Sequence, residues 1–467
     1  MLSLDFSGCF SARVGEHGLD PALLDDLGPA GGAIRSLTDR LDASRGSGME
    51  RWRDLARDPM RSEHVEGVRR LVDSRRGRFA NLVVLGIGGS ALGNIALHEA
   101  LNPPMHNLQP DDRRGGPRLF VLDNVDPDQF NDVLAACESL GGLARTLFNV
   151  ISKSGETAET AAQFMIVRDM LKSAFGQKHA DHVVAVTDPS KGTMRSICDA
   201  EGYETLPVPE GVGGRFSVLS PVGLFSAAMC GINIDALLDG AADMDGPCAS
   251  PALSTNPAAQ LATVLVELGA RNGKTNNVMM PYSSKLRTLT DWWAQLWAES
   301  LGKRVETVAG PTHVGLTPIR AVGATDQHSQ VQLYREGPND KVICFVEVEE
   351  FDQDRAIPSA TEDRIEALQY LEGKSLGALL NAEKQATEFA LIESQRPNLT
   401  IRMPKVDARH VGQFIYLWEM ATAYAGGLLG VNAYDQPAVE LGKQATFALM
   451  GRTGYDELRA EVSAALS

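Results

Sequence analysis

The sequence predicts an α/β protein built on two doubly wound parallel sheets, and three observations carry that prediction. Short, wholly apolar runs such as NLVVL and VVAV recur along the chain, amphipathic stretches separate them, and glycine turns join the two. A strand buried on both faces reads as a continuous apolar run because helices cover each side of a parallel sheet. The length, 467 residues, exceeds what one core serves, so more than one domain is required.

Residues 1–78 read as a charged helical segment: in LLDDLGPAGGAIRSLTDRLDASR and MERWRDLARDPMRSEHVEGVRRLVDSRRG, apolar positions recur at helical spacing. A first α/β domain spans 79–245. In it NLVVLG is a strand followed by the turn and helix GIGGSALGNIALHEAL, and RLFVLDNVD is a strand before the helix DPDQFNDVLAAC. FNVISKSG precedes the helix ETAETAAQFMIVRDMLKSAF, HVVAVTDP precedes SKGTMRSICDAEG, and GGRFSVLSPVGLFSAAMCGINI closes the unit. A helical link, 246–273, leads to a second α/β domain over 274–430. Its strands are NNVMMPYS, KVICFVEVE and NLTIRMP, and its helices are DWWAQLWAES, TDQHSQVQLYRE and ARHVGQFIYLWEMATAYAGGLLG. Asp352 to Pro397 reads as polar and helical, and a C-terminal helical arm covers 431–467.

Hydrophobic residues make up 43% of the chain and the formal net charge is −16, which argues against a nucleic-acid partner. That field repels anions, so basic residues beside a candidate anion site carry more information. Six scattered cysteines without a CxxC pair fit neither a disulfide framework nor a zinc site, and point to a reducing, cytoplasmic setting. The N-terminus lacks the apolar core of a signal peptide. The runs Val218–Leu238 and Val411–Val431 are interrupted by polar residues and read as buried helices rather than membrane spans.

In a doubly wound sheet ligands bind beyond the carboxyl ends of the strands. GIGGS, Gly86 to Ser90, allows close backbone approach and offers the Ser90 hydroxyl at a helix start; a tight turn accounts for its glycines equally well. SKSGET clusters Ser152, Lys153, Ser154 and Thr157 at a helix start, which suits a phosphate monoester. Helix capping is the alternative, but a cap needs one hydroxyl and this loop has three. Gly86, Gly88, Gly93 and Asp123 imitate a dinucleotide fingerprint only loosely, and no P-loop is present.

Arg215 in GGRFS could reach a ligand or a developing anion; a structural ion pair is the alternative. Glu299 ends an aromatic-rich helix, where nearby apolar surface can raise a carboxyl pKa toward that of a general base; taken singly, a solvated helix-end glutamate is the commoner reading. His328 in TDQHSQ and Lys443 in ELGKQ are, taken singly, an ordinary hydrogen-bonding histidine and a surface charge. HADH, His179 to His182, lacks a third ligand and reads as a surface turn rather than a metal pair.

Together, VLGIGGSALG, ISKSGETAET, GVGGRFSVLSPVGL, WWAQLWAES, ATDQHSQVQLYREG and YDQPAVELGKQA resemble the glucose-6-phosphate isomerase family in its shorter bacterial form. They stand in family order from about Asn81 to Ala448. SKSGET departs from longer relatives at its Ser and Gly and keeps the hydroxyls. The resemblance implies two phosphosugar-binding domains of the sugar isomerase type and a homodimer. It also implies interconversion of glucose 6-phosphate and fructose 6-phosphate, in glycolysis and gluconeogenesis, without metal or redox cofactor. By motif it makes Glu299 the base, Arg215 the residue beside the enediolate, and His328 with Lys443 the ring-opening pair, the histidine coming from the partner subunit. Ser152, Lys153, Ser154 and Thr157 would hold the phosphate, with Gly89, Ser90 and Gln436 as further substrate contacts. A non-catalytic phosphosugar sensor carries similar loops but has no use for Glu299, His328 and Lys443 in these contexts. An isomerase acting on mannose or amino-sugar phosphates is the other rival.

Overall fold

The structure is a computed structural model that describes residues 1–307, 310–359 and 365–467. The chain opens on a strand, β1 (Ser3–Asp5), where the sequence pattern suggests helix. Long-range pairing decides it: Leu4 sits opposite Ile401 in an antiparallel ladder, and the Leu2 N–H donates to Gln413 Oε1 at 3.0 Å. The expected helices of this segment follow at Pro29–Ser44 and Met60–Arg75.

The first sheet contains β2 (Asn81–Leu85), β3 (Arg118–Leu122), β4 (Thr146–Ile151), β5 (Val183–Thr187) and β6 (Glu204–Pro207). Its order is β3-β2-β4-β5-β6 and every pairing is parallel. The chain leaves β2 toward β3 on one side and returns to β4 on the other, so the switch point lies between β2 and β4. Edge strand β6, with Glu204 exposed, lacks the apolar run that marks the others.

The second sheet is built from β7 (Asn276–Pro281), then, beyond a separate antiparallel hairpin of β8 (Lys303–Thr307) and β9 (Gly310–Val314), β10 (Thr317–Arg320), β11 (Lys341–Glu350) and β12 (Asn398–Lys405). Its order is β1-β12-β11-β7-β10, parallel except for β1. The short, partly exposed β8, β9 and β10 carry no apolar run and are absent from the sequence reading. Of the polar stretch Asp352–Pro397, Leu376–Glu393 is helical and Glu366–Leu371 forms a 3-10 turn, whereas Asp352–Ile357 is irregular apart from a bridge at Ala356; positions 360–364 lie outside the described residues.

One core cluster joins Leu82 and Val84 of the first sheet to Met279 and Cys344 of the second through the helices between them. Val218–Leu238 resolves into a turn at Val218 and Leu219 and the helices Pro221–Met229, capped by Ser220, and Ile234–Cys248, while Val411–Val431 lies mostly within Ala408–Leu429. Among the described residues no helix is long and apolar enough to cross a membrane. All six cysteines are buried and unpaired. His179 and His182 are buried rather than on a surface turn: His179 Nε2 lies 3.1 Å from Glu201 Oε2, and His182 stacks on Phe175 with ring centroids 4.2 Å apart.

Candidate active site

Two loops leave the carboxyl ends of neighbouring strands at the switch point. After β2, Gly88–Ser90 forms a single 3-10 turn, and the chain needs glycine at 89 because a Cβ there would lie 2.3 Å from the Gly214 carbonyl. This contact seats the first loop directly on the GGRF segment. The Ser90 hydroxyl has no protein partner among the described residues and is partly exposed.

After β4, SKSGET folds back on itself. Ser152 Oγ accepts from Gly155 N–H at 3.0 Å and Ser154 Oγ accepts from Glu156 N–H at 3.1 Å, leaving both hydroxyl protons free to donate. Gly155 has φ +78° and packs against the Met194 backbone, so no side chain fits. Thr157 is the N-cap of helix Ala158–Phe175 by position, yet its side chain makes no capping bond. Among the described residues the Thr157 hydroxyl and the first helical N–H groups are therefore left unspent by capping, the arrangement an anion uses. Exposed Lys153 borders a cavity of about 430 Å³ that Lys191 also lines. From the C-terminal arm, Arg452 Nη2 donates to Glu156 Oε2 at 3.1 Å and so reaches this loop.

The chemistry-bearing cluster lies beneath Gly89. Helix Leu289–Leu301 is anchored by Trp293 and Trp297, whose rings stand 5.3 and 5.5 Å from that of Trp418, and by Trp297 Nε1 donating to Asn277 Oδ1 at 3.0 Å. That anchoring brings Glu299 and Ser300, in the last turn, to Arg215. Arg215 Nε donates to Ser300 Oγ at 2.7 Å, and Nη1 donates to Glu299 Oε2 at 3.0 Å and to Gln436 Oε1 at 2.9 Å. Its Nη2 donates to the carbonyls of Ala433 at 2.6 Å and Asp435 at 3.0 Å. Burial lowers the Arg215 pKa from its usual value, with the Glu299 carboxylate acting in the opposite direction. The guanidinium is 4% exposed whereas the Glu299 side chain is 32% exposed, so the cation is fixed and the carboxylate faces the open side.

Lys303 was missed by sequence reasoning. Its Nζ donates to the carbonyls of Glu299 at 2.7 Å and Asp435 at 2.8 Å, clamping the end of the helix to the 432–436 turn. Burial and the Arg215 charge lower its pKa. The only sequence signal was its place just after the ESLG run. Gln295, one turn before Glu299, was also missed; it stands close under Gly88.

His328 and Lys443 are not brought to this cluster within the chain. His328 is exposed on helix Thr325–Ser329, beyond the carboxyl end of β10, and the preceding Gln327 Oε1 accepts from Tyr282 Oη at 3.0 Å. Lys443, exposed on helix Glu440–Leu449, has its Nζ 2.8 Å from Glu440 Oε1.

The sequence profile of phosphoglucose isomerase matches residues 64–461. The chain belongs to the phosphoglucose isomerase family. It is an aldose–ketose isomerase of that family. The glucose-6-phosphate isomerase of Carboxydothermus hydrogenoformans is 46% identical over 400 residues, covering 86% of this chain and 85% of its own. That of Rubrobacter xylanophilus is 45% identical over 430 residues, covering 92% and 96%. A hypothetical protein from Thermus thermophilus superposes on this phosphoglucose isomerase family member with a TM-score of 0.82 at 36% identity, over 97% of this chain and 100% of its own. A glucose-6-phosphate isomerase from Chlamydia trachomatis, 23% identical, shares the fold with a TM-score of 0.80, over 99% of this chain and 95% of its own.

Proposed function

We propose that this isomerase interconverts glucose 6-phosphate and fructose 6-phosphate by ring opening and a cis-enediol proton transfer, with the proton transfer carried by the Arg215–Glu299 cluster and ring opening by His328 and Lys443. The phosphate sits on Ser152, Lys153, Ser154 and Thr157, with Gly89 and Ser90 beside the sugar. That grip holds the reacting carbon over the carboxylate, converting binding energy into orientation. Glu299 takes the C2 proton and returns it to C1. A positioned base contributes roughly 10²–10⁴-fold, too little alone for so weak a carbon acid. Arg215 supplies the remainder as a fixed positive charge beside the developing enediolate.

His328, donated by the second subunit of a homodimer, moves the ring-opening proton, since an imidazole titrates near neutrality, and Lys443 assists. Its exposure, away from Glu299 of its own chain, supports that assignment. Domains at 79–245 and 274–430, joined by 246–273 and flanked by the N-terminal segment and the arm, and a cytoplasmic location belong to the same reading.

The Arg215–Glu299 pair, with Gln436 on the same guanidinium nitrogen, carries this proposal, because it sets a base and a fixed cation on one side of one opening. Assays with glucose, mannose and glucosamine 6-phosphates test it. Turnover of glucose 6-phosphate to a ketose phosphate, with release of C2 hydrogen to solvent, is the expected result. Turnover confined to the mannose or amino-sugar phosphate overturns the substrate assignment.

A further inference from the structure

We propose that a cavity at the amino end of the first sheet is a second anion site, in which Arg75, Arg76, Arg114 and Arg145 take a small multivalent phosphate. The cavity has a volume of about 300 Å³, and among the described residues Asp111 is the single carboxylate lining it. Four arginines thus border one cavity in a chain whose net charge is −16, with Asp111 in the lining and Asp73 paired to Arg76 at 3.2 Å.

Arg75 makes the strongest case. It closes helix Met60–Arg75 and is 5% exposed. Its Nη1 donates to Ser74 Oγ at 2.8 Å, but its buried Nε has no acceptor. Among the described residues no carboxylate lies within ion-pairing distance of it, and Glu204 and Asp181 attract its charge only from further away. Buried arginines are ordinarily paired, because an uncompensated charge in a low-dielectric site is costly. Asp111 cannot supply the missing charge, since it is shared between Arg114 at 2.5 Å, Arg145 at 3.5 Å and Arg118 at 3.6 Å. Phosphate oxygens match the planar fork of a guanidinium two at a time, so an anion with two charged groups would meet the rim arginines directly and set negative charge beside buried Arg75.

The cavity is separate from the active site. Arg145 immediately precedes β4, and the Gly115–Pro117 wall leads into β3, whereas GIGGS and SKSGET leave the opposite ends of β2 and β4. A five-residue strand puts roughly 16 Å between those ends.

Equilibrium dialysis of the full chain with labelled pyrophosphate tests the proposal. Ser154→Asp places a negative charge in the phosphate loop and removes anion binding there, so one site per chain should remain. Arg76→Gln with Arg145→Gln should weaken that remaining site by roughly tenfold or more. These two side chains are 69% and 47% exposed, so the double variant retains its fold, and isomerase turnover should be unchanged. Loss of all binding in Ser154→Asp, or equal affinity after the double substitution, overturns the second site. If the phosphate loop itself binds no anion, wild-type protein still shows the one site that depends on the arginines, so the two proposals fail separately.

Discussion

Arg215 Nη1 lies 3.0 Å from Glu299 Oε2, and the five N–H donors of this guanidinium meet five acceptors on Ser300, Glu299, Gln436, Ala433 and Asp435. In the proposed mechanism a guanidinium so fully engaged acts on the substrate first through its charge. To donate a hydrogen bond to an enediolate oxygen it must release Gln436 or Glu299. The same bond orients the carboxylate and leaves Oε1 as its free face.

Glu299→Gln keeps the shape and the contact with Arg215 but removes the proposed base. Turnover should fall roughly 10²–10⁴-fold, exchange of the substrate C2 hydrogen with solvent should vanish, and a competitive sugar-phosphate inhibitor should bind almost as before. Retained exchange, read by proton NMR in D₂O, removes Glu299 from the role of base.

Arg215→Lys keeps the charge and loses the fork. An ammonium on its shorter stem cannot serve Ser300, Glu299, Gln436 and two carbonyls together, so the 432–436 turn loosens from the helix. The expected kcat loss is on the order of 10²-fold, with melting lowered by the equivalent of about 1–3 kcal/mol for buried acceptors left unpaired. A variant with full kcat and only the lower melting point would reduce Arg215 to a structural residue.

Much of this site was legible because each motif is local. GIGGS and SKSGET sit at strand ends that wholly apolar runs reveal, and the tryptophan helix carrying Glu299 has a marked apolar face. What escaped was decided across the chain. β1 exists because Leu4 finds Ile401 almost four hundred positions away, and no three-residue segment signals that. Lys303 has the composition of a solvated lysine until the 432–436 turn folds over it. The burial of His179 likewise depends on Glu201, which lies on another helix.

Glu201 gives a pH test outside the active site. Hydrogen bonds from Lys172 and then Arg168 hold its carboxyl pKa at about 2, below the usual 4.5. A carboxylate depressed on folding stabilises the native state fully above its unfolded pKa, and that contribution disappears as pH falls through the folded one. Glu201→Gln should therefore cost roughly 1–2 kcal/mol at neutral pH, after allowance for solvent screening, since Arg168 and Lys172 are left as adjacent like charges. The gap in melting temperature should close between about pH 4.5 and about 2. A gap independent of pH across that window would assign the loss to packing instead.

The donation of His328 across a dimer can be tested without a structure of the dimer. If one site draws Glu299 from one subunit and His328 from the other, Glu299→Gln and His328→Ala homodimers each lack a working site. A heterodimer of the two pairs the intact Glu299 of one chain with the intact His328 of the other in one of its two sites, while its second site carries both defects. Random reassociation makes half of the dimers mixed, so about a quarter of wild-type activity should return after the two variants are unfolded together and refolded. Mixing without subunit exchange should restore nothing, which separates complementation from contamination. Were both residues of a site to come from the same chain, every subunit in the mixture would still carry one defect, and activity would stay at the average of the two variants. His328→Ala should also slow turnover of cyclic sugar more than that of an open-chain substrate, because only the former needs the ring-opening proton. Equal slowing of both would detach the histidine from ring opening whichever subunit supplies it.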